Sequence, residues 1–302
     1  MHRLTDIDLR LVRIFRTIVE CQSLAGAELV LNLSQSRISA SLAELEARLG
    51  TRLCRRGRGG FALTEAGTSL YEASHELFRA VDRFCNRAGG VSANLKRVFR
   101  LGMVDAMVTN TELPLPRVIR EFQSINSSVV IELSMAGPED LEQQLSAGSR
   151  DALIMPCINK RHEFEYLPLI RERQSLYCGR SHWLFDLPGD EAARLDLSDE
   201  PFAARGYLHH FDLKRIGHRE ARATVEMMEA QLMLILSGGF IGYLPAHYAR
   251  DWVERGELRL IGDDLYGYDS VFYMVTQRGG MENPLVKLFR KVMLEASPLA
   301  DA

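Results

Sequence analysis

Three short helical runs joined by tight turns organise the first fifty residues. Leu9, Val12, Phe15, Ile18 and Val19 recur at the spacing of one helix face. Ser23 then has the chemistry of an N-cap for a second helix reaching about Leu31. Asn32-Leu33 makes a turn, and Ser34 stands at the N-cap of a third helix that runs to Gly50, a residue suited to ending it. In that third helix Ile38, Leu42, Leu45 and Leu49 form an apolar stripe, so Ser36, Arg37, Ala40 and Ser41 are expected to face away. Two helices, a tight turn and a third helix with a polar outer face match the helix-turn-helix plan.

The next segment extends that plan. Leu53-Cys54 and Phe61-Ala62-Leu63 are short β-like pieces around Arg55-Arg56-Gly57-Arg58-Gly59-Gly60, which predicts a hairpin wing with a basic, glycine-rich tip. Thr64 starts a long helix continuing to about Ala88. Along it Leu63, Leu70, Leu77 and Phe84 lie seven apart, with Ser74 and Val81 completing a coiled-coil seam. The seam is too short to stand alone, so Leu70, Ser74, Leu77, Val81 and Phe84 are expected to zip in a dimer. Gly89-Gly90-Val91-Ser92 makes a hinge.

Charge is distributed unevenly. The chain of 302 residues carries a formal net charge of −3, yet from Ser34 to Gly60 six arginines (Arg37, Arg48, Arg52, Arg55, Arg56, Arg58) face two glutamates, a local +4. A basic island in an acidic chain suggests a surface for phosphates. Charges at Arg3, Asp6, Asp8, Arg10 and Arg13 leave no apolar core for a signal peptide. The uncharged run from Ala230 to Ala249 contains Gly238, Gly239, Gly242 and Pro245, so a buried helix, turn and strand are expected there, not a membrane span. Five scattered cysteines form no CxxC, which favours a reducing cytoplasm over a disulfide framework or zinc site. No G-x-S-x-G, P-loop or H-E-x-x-H occurs, so neither catalysis nor a cofactor is expected.

From Arg97 onward strands and helices alternate. Strands are expected at Val98–Met103, Val129–Leu133, Ala152–Met155, Ser175–Cys178, Ile241–Leu244 and Val271–Thr276, and helices at Leu115–Ser124, Pro138–Ala147, Val225–Leu236 and Asn283–Glu295. The pattern is βα with mainly parallel sheets.

Taken together, Leu9-Arg10, Phe15, Ser23, Ala27, Leu31, Ser34-Gln35, Ile38-Ser39, Leu42, Leu45-Glu46, Leu49-Gly50, Leu53, Arg56, Leu63-Thr64 and Ala66-Gly67 resemble the LysR-type transcriptional regulator family. Gly102, Leu113-Pro114, Phe122, Leu145, Gly148, Asp151, Gly238, Ile241, Leu244-Pro245 and Gly256-Glu257-Leu258 extend the likeness more loosely. The resemblance implies an N-terminal all-α winged helix-turn-helix (1–63), a dimerising linker helix and hinge (64–90), and a C-terminal α/β periplasmic-binding-protein-like effector domain (91–302) of two lobes, about 91–161 with 267–302, and about 162–266. It also implies double-stranded DNA and a small-molecule effector as partners, a homodimer pairing into a tetramer as a dimer of dimers, and contact with RNA polymerase. Departures include Glu28 for a second small residue, Ser36 for a proline, Cys54 for a phenylalanine, Phe240 for a glycine and Val104 for a hydroxyl residue.

A major groove admits one helix whose first turn reaches base edges. That turn is Ser34, Gln35, Ser36 and Arg37. Gln35 suits adenine and Arg37 guanine, each worth about 1–3 kcal/mol of discrimination. Ser39 and Ser41 are expected nearer the phosphates, and Arg55, Arg56 and Arg58 on the wing grip the backbone or enter the minor groove. By family position the effector cleft involves Val104, Asp105, Ala106, Met107, Met155, Pro156, Arg205, His209, His210, Thr224 and Val225. Asp105 repels a carboxylate if it faces inward, although it also suits a helix cap. Arg205, His209 and His210 can offset that charge, and the expectation is a ligand with apolar surface, not a small dianion. His209, His210 and His218 lack a further ligand at metal spacing. Cys157 and Cys178 leave open a thiol-redox regulator of the same architecture, although buried inert thiols fit their strand positions better. A solute-binding protein without DNA function is the reading from a different class.

Overall fold

The three N-terminal helices form where apolar spacing and caps direct them: α1 Asp6–Glu20, α2 Leu24–Leu31 and α3 Gln35–Leu49. The computed structural model describes residues 6–57, 60–88, 97–157, 159–188, 191, 194–280 and 283–297. The Ser23 hydroxyl accepts the Gly26 N–H at 2.9 Å, and α2 and α3 end on left-handed Asn32 and Gly50. Phe15, Ile18, Ala27, Ile38 and Leu53 are fully buried in one core shared by the three helices and the first residues after them. Each large apolar side chain so buried contributes about 1.5–3 kcal/mol.

Strands β1 (Cys54–Gly57) and β2 (Gly60–Leu63) pair antiparallel, with Cys54 opposite Leu63 and Arg55 opposite Ala62. Glu46 anchors the entry to this hairpin, its carboxylate accepting the N–H groups of Leu53 at 2.8 Å and Cys54 at 3.3 Å. Thr64 caps helix α4 (Glu65–Ala88), accepting the Gly67 N–H at 3.0 Å and donating to the Arg52 carbonyl at 2.7 Å. A Cβ at Gly67 would stand 2.0 Å from the Leu53 carbonyl oxygen, so this crossing requires glycine.

Some of the expected faces turn out differently. Ser41 is buried, because it lies three residues after Ile38 and four before Leu45 on the inward face of α3; Leu49 rotates out and is 47% exposed. Ser34 occupies the N-cap position, but its hydroxyl lies 3.1 Å from that of Ser36 and makes no side-chain cap. In α4, Leu70 packs on the helical core of its own chain. Ser74 is buried there too, with its hydroxyl donating to the Tyr71 carbonyl at 2.6 Å. Phe78 is held under the guanidinium groups of Arg13 and Arg16, each 5.2 Å from its ring centre. The first two turns of the expected seam thus serve the N-terminal fold, while Leu77 and Val81 are half-buried and Phe84 is exposed.

Residues 1–83 and 84–302 form separate units. The second, among the described residues, is built on a nine-stranded sheet. Its strands are β3 Arg97–Met103, β4 Val129–Met135, β5 Ala152–Pro156, β6 Phe164–Gly179, β7 Phe202–Arg205, β8 Ala223–Val225, β9 Ile241–Pro245, β10 Leu258–Ile261 and β11 Tyr268–Gln277. The sheet order is β4-β3-β5-β11-β6-β9-β7-β8, with β10 on β6. The sheet is mixed, not mainly parallel. Strand β3 runs parallel to β4 and β5, and β7 to β8 and β9, while β11 pairs antiparallel with β5 and β6, and β6 with β9 and β10.

The long strand β6 explains this arrangement. Its first half places Phe164, Leu169 and Ile170 in the first lobe's core, and its second half places Leu176 and Cys178 in the second lobe's. The first lobe therefore keeps the chain about nine residues beyond the break expected at 161, as far as Ile170. The register slips between Phe272 and Tyr273, opposite Ile170 and Pro168, a bulge position that tolerates proline. The first lobe's core is closed by the rings of Phe99, Phe122 and Phe289, with centroids 4.8–5.3 Å apart. No described helix is long and apolar enough to cross a membrane; the Ala230–Ala249 run lies in the Met228–Leu236 helix, β9 and the start of the Ala246–Glu254 helix.

Candidate functional sites: a polar helix face and an inter-lobe cleft

Helix α3 presents Gln35, Ser36 and Arg37 to solvent in its first turn, with Ser34 exposed before them and Ser39 half-buried behind. The opposite face, Ile38, Leu42 and Leu45, is at most 1% exposed, so the helix has one orientation and one free side. Ser41 does not belong to that free side. Arg55 is exposed on β1; the Arg56 side chain and Arg58 lie outside the described residues. Arg48, part of the basic island, pairs with Asp8 at 2.8 Å and Glu44 at 3.5 Å.

The cleft opens at the carboxyl ends of β3 and β5, between the lobes. Val104, Asp105, Pro156, Tyr207 and Met228 line a small inner cavity of about 20 Å³. A wider pocket of about 230 Å³ shares Pro156, Tyr207 and Leu208 with it and adds Met155, Glu142 and Lys160. The inner space has room for about one water or one ligand head group, and the adjoining outer one for the rest of a small ligand. Asp105 faces inward and also caps a helix: its carboxylate accepts the Met228 N–H at 2.7 Å, reaching from the first lobe to the second. Burial holds its carboxyl above the ordinary carboxylate range, against the lowering effect of the backbone N–H groups of Met228 and Glu229.

Arg205 lines the inner cavity yet is committed elsewhere. Its guanidinium grips Asp212 through Nε at 2.9 Å and Nη2 at 2.8 Å, donates to Gln174 at 2.7 Å and contacts the Tyr268 hydroxyl. Arg205 and Asp212 are 2% and 0% exposed. The pair bolts the second lobe together, and the guanidinium expected to offset a ligand carboxylate is already engaged by Asp212, Gln174 and Tyr268. Met107 is buried in the first lobe's core, and Ala106 sits in the left-handed region; neither lines the cavity. Thr224 is exposed on edge strand β8, and Val225 lies in that strand, not in a helix; neither is among the residues lining the two pockets described. The side chains of His209 and His210 lie outside the described residues; their backbone opens the His209–Arg215 helix. His218 is buried against the Leu197 carbonyl, and among the described residues no group of His, Cys, Asp and Glu is arranged for a metal.

Residues not anticipated from the sequence complete the site. Glu172, 4% exposed, receives Gln174 at 2.6 Å and Asn110 at 3.3 Å and lies 2.7 Å from His247, which in turn meets Thr109 at 2.8 Å. This chain of polar groups runs from the first lobe through β6 into the second. The signal for it is the alternation in Ile170-Arg171-Glu172-Arg173-Gln174, which puts Glu172 and Gln174 on the buried side of a strand. Burial pushes the thiols of Cys157 and Cys178 up to about 11, opposite to what a reactive sensor needs.

The chain and its fold match known proteins. Residues 9–68 match the bacterial regulatory helix-turn-helix protein model of the lysR family, and residues 92–298 the LysR substrate binding domain. The HTH-type transcriptional activator BauR of Pseudomonas aeruginosa is 36% identical over 95% of this chain and 94% of its own length. The RuBisCO operon transcriptional regulator of Allochromatium vinosum is 25% identical over 95% of this chain and 96% of its own. In fold, full-length CbnR solved with its target DNA superposes with a TM-score of 0.66 at 18% identity, covering 96% of this chain and 99% of that one. The chain belongs to the LysR family. It is a transcriptional regulator with a DNA-binding helix-turn-helix and an effector-binding domain.

Proposed function

We propose that the chain reads double-stranded operator DNA as a homodimer, paired into a tetramer, with one α3 per subunit in the major groove and the β1–β2 wing on the backbone. The observation that carries this reading is the first turn of α3: Gln35, Ser36 and Arg37 are free to solvent while Ile38, Leu42 and Leu45 lock the other side. The structural likeness to a protein captured on its target DNA supports it. Leu77, Val81 and Phe84 form the dimer seam. A small molecule enters the inter-lobe cleft, shifts the balance of lobe arrangements, and alters DNA bending or contact with RNA polymerase. The protein works in the cytoplasm and performs no catalysis. Its effector carries apolar surface and is not a small dianion. Footprinting on the DNA upstream of its own gene tests the recognition surface. Arg37→Ala is expected to lose discrimination at one base per half-site, whereas Arg55→Ala weakens binding to all sequences. Variants that both footprint as wild type would place the surface elsewhere.

A further inference from the structure

The Met228–Leu236 helix begins without a cap from its own neighbourhood, since Met227 at its N-cap offers none. The free N–H of Met228 is taken by Asp105, 123 residues earlier and in the opposite lobe, at 2.7 Å. The start of a helix carries partial positive charge and favours an anion, the place where a bound carboxylate would otherwise sit. The converse arrangement occurs across the cleft. The Glu226 carboxylate of the second lobe lies beside Gly137, the N-cap of the first-lobe helix Pro138–Ser146, where a Cβ would stand 3.3 Å from its Oε2. Both of these helix starts thus meet a carboxylate from the other lobe. Buried Glu172 joins Asp105 as a second carboxylate in the inner lining.

Three cations near the cleft are engaged. Arg205 is bound by Asp212, and Arg161 pairs with Glu142 at 2.8 Å. The Lys160 ammonium sits over the Tyr273 ring, 4.4 Å from its centre. An entering carboxylate would meet fixed negative charge at the helix end and no unengaged partner among these three.

We infer that Asp105 is the specificity-determining residue of the cleft, an internal anion that occupies the helix end a ligand carboxylate would use and turns the site toward ligands that donate to it, amines foremost. This rests on the cleft being the effector site, as proposed above.

The test is calorimetric titration of the full chain with succinate, acetate and butylamine, comparing wild type with Asp105→Asn. The amide keeps an acceptor for the Met228 N–H and loses the charge, so a purely structural cap would leave ligand preference unchanged. Wild type is expected to bind butylamine at least tenfold more tightly than succinate. Asp105→Asn should lose at least tenfold for butylamine and gain at least tenfold for succinate. An Asn variant with wild-type preferences, a wild type that prefers succinate, or a wild type that takes none of the three overturns the inference. Pro156→Trp, which fills both cleft pockets, tests the underlying reading separately: binding left unchanged by it counts against the cleft as the effector site, whereas binding lost with it and an unchanged preference in Asp105→Asn count against Asp105 alone.

Discussion

Removing Asp212 leaves the Arg205 guanidinium buried without its counter-ion. In the structure this cation is 2% exposed, held by two contacts of 2.8–2.9 Å to Asp212, with Gln174 and the Tyr268 hydroxyl as its remaining partners. Breaking a buried pair from one side costs about 3–5 kcal/mol. For a unit of roughly two hundred residues each kcal/mol lowers the midpoint by about 2–4 °C, so Asp212→Ala should lose about 6–20 °C. Differential scanning calorimetry of the full chain, following the transition of the C-terminal unit, reads this directly. The double variant Arg205→Met with Asp212→Leu removes both charges and should recover most of the loss, because the penalty belongs to the orphaned charge and not to the missing attraction. A midpoint lowered by less than about 3 °C in Asp212→Ala would show that water reaches the guanidinium. Arg205 would then be available to a ligand, and the assignment of Arg205 as a structural bolt would be refuted.

Two further outcomes rest on single contacts. Gly67→Ala drives a methyl to within 2.0 Å of the Leu53 carbonyl, and should destabilise the N-terminal unit by about 1–3 kcal/mol or more in urea unfolding; a change below about 0.5 kcal/mol would contradict the crossing described. Cys157 and Cys178, pushed up to about 11, are neutral thiols at neutral pH, so alkylation by iodoacetamide read by mass spectrometry at each site should be slow there and rise about tenfold per pH unit toward that value; fast labelling at neutral pH would reopen a thiol-redox role.

The N-terminal fold is legible because its signals are local. Ser23 caps as its chemistry predicts, Gly50 ends α3, and the stripe of Ile38, Leu42 and Leu45 is buried. Ser41 departs from its expected place because a helix face is wider than a line of three residues and takes in the position between them. Leu70 and Ser74 read as a partner-facing seam, since heptad spacing alone does not say whether a helix packs on its own chain or on another. The C-terminal unit is legible as alternating elements, but not in its sheet. Glu172 and Gln174 lie on a strand that carries five polar residues in a row, Arg171 to Ser175; alternation puts the two on one side, but the pairing of β6 with β11 and β9 is what buries that side. Arg205 reads as a ligand for an anion; nothing in the spacing to Asp212 indicates that the two meet at 2.8 Å in a dry core. Asp105 has the chemistry of a cap, but the helix it caps begins 123 residues away, beyond the reach of any local pattern.

The central claim is that two copies of the polar α3 face engage duplex DNA together with their wings. Fluorescence anisotropy of a labelled duplex from upstream of the gene, titrated with full-length protein across a range of salt concentrations, measures this most directly. Binding should weaken steeply with salt, and Arg55→Ala, which removes one phosphate contact from each subunit of a dimer, should flatten the log–log slope by about 1.8. Protein that remains monomeric and leaves the anisotropy unchanged even in dilute salt would contradict the account.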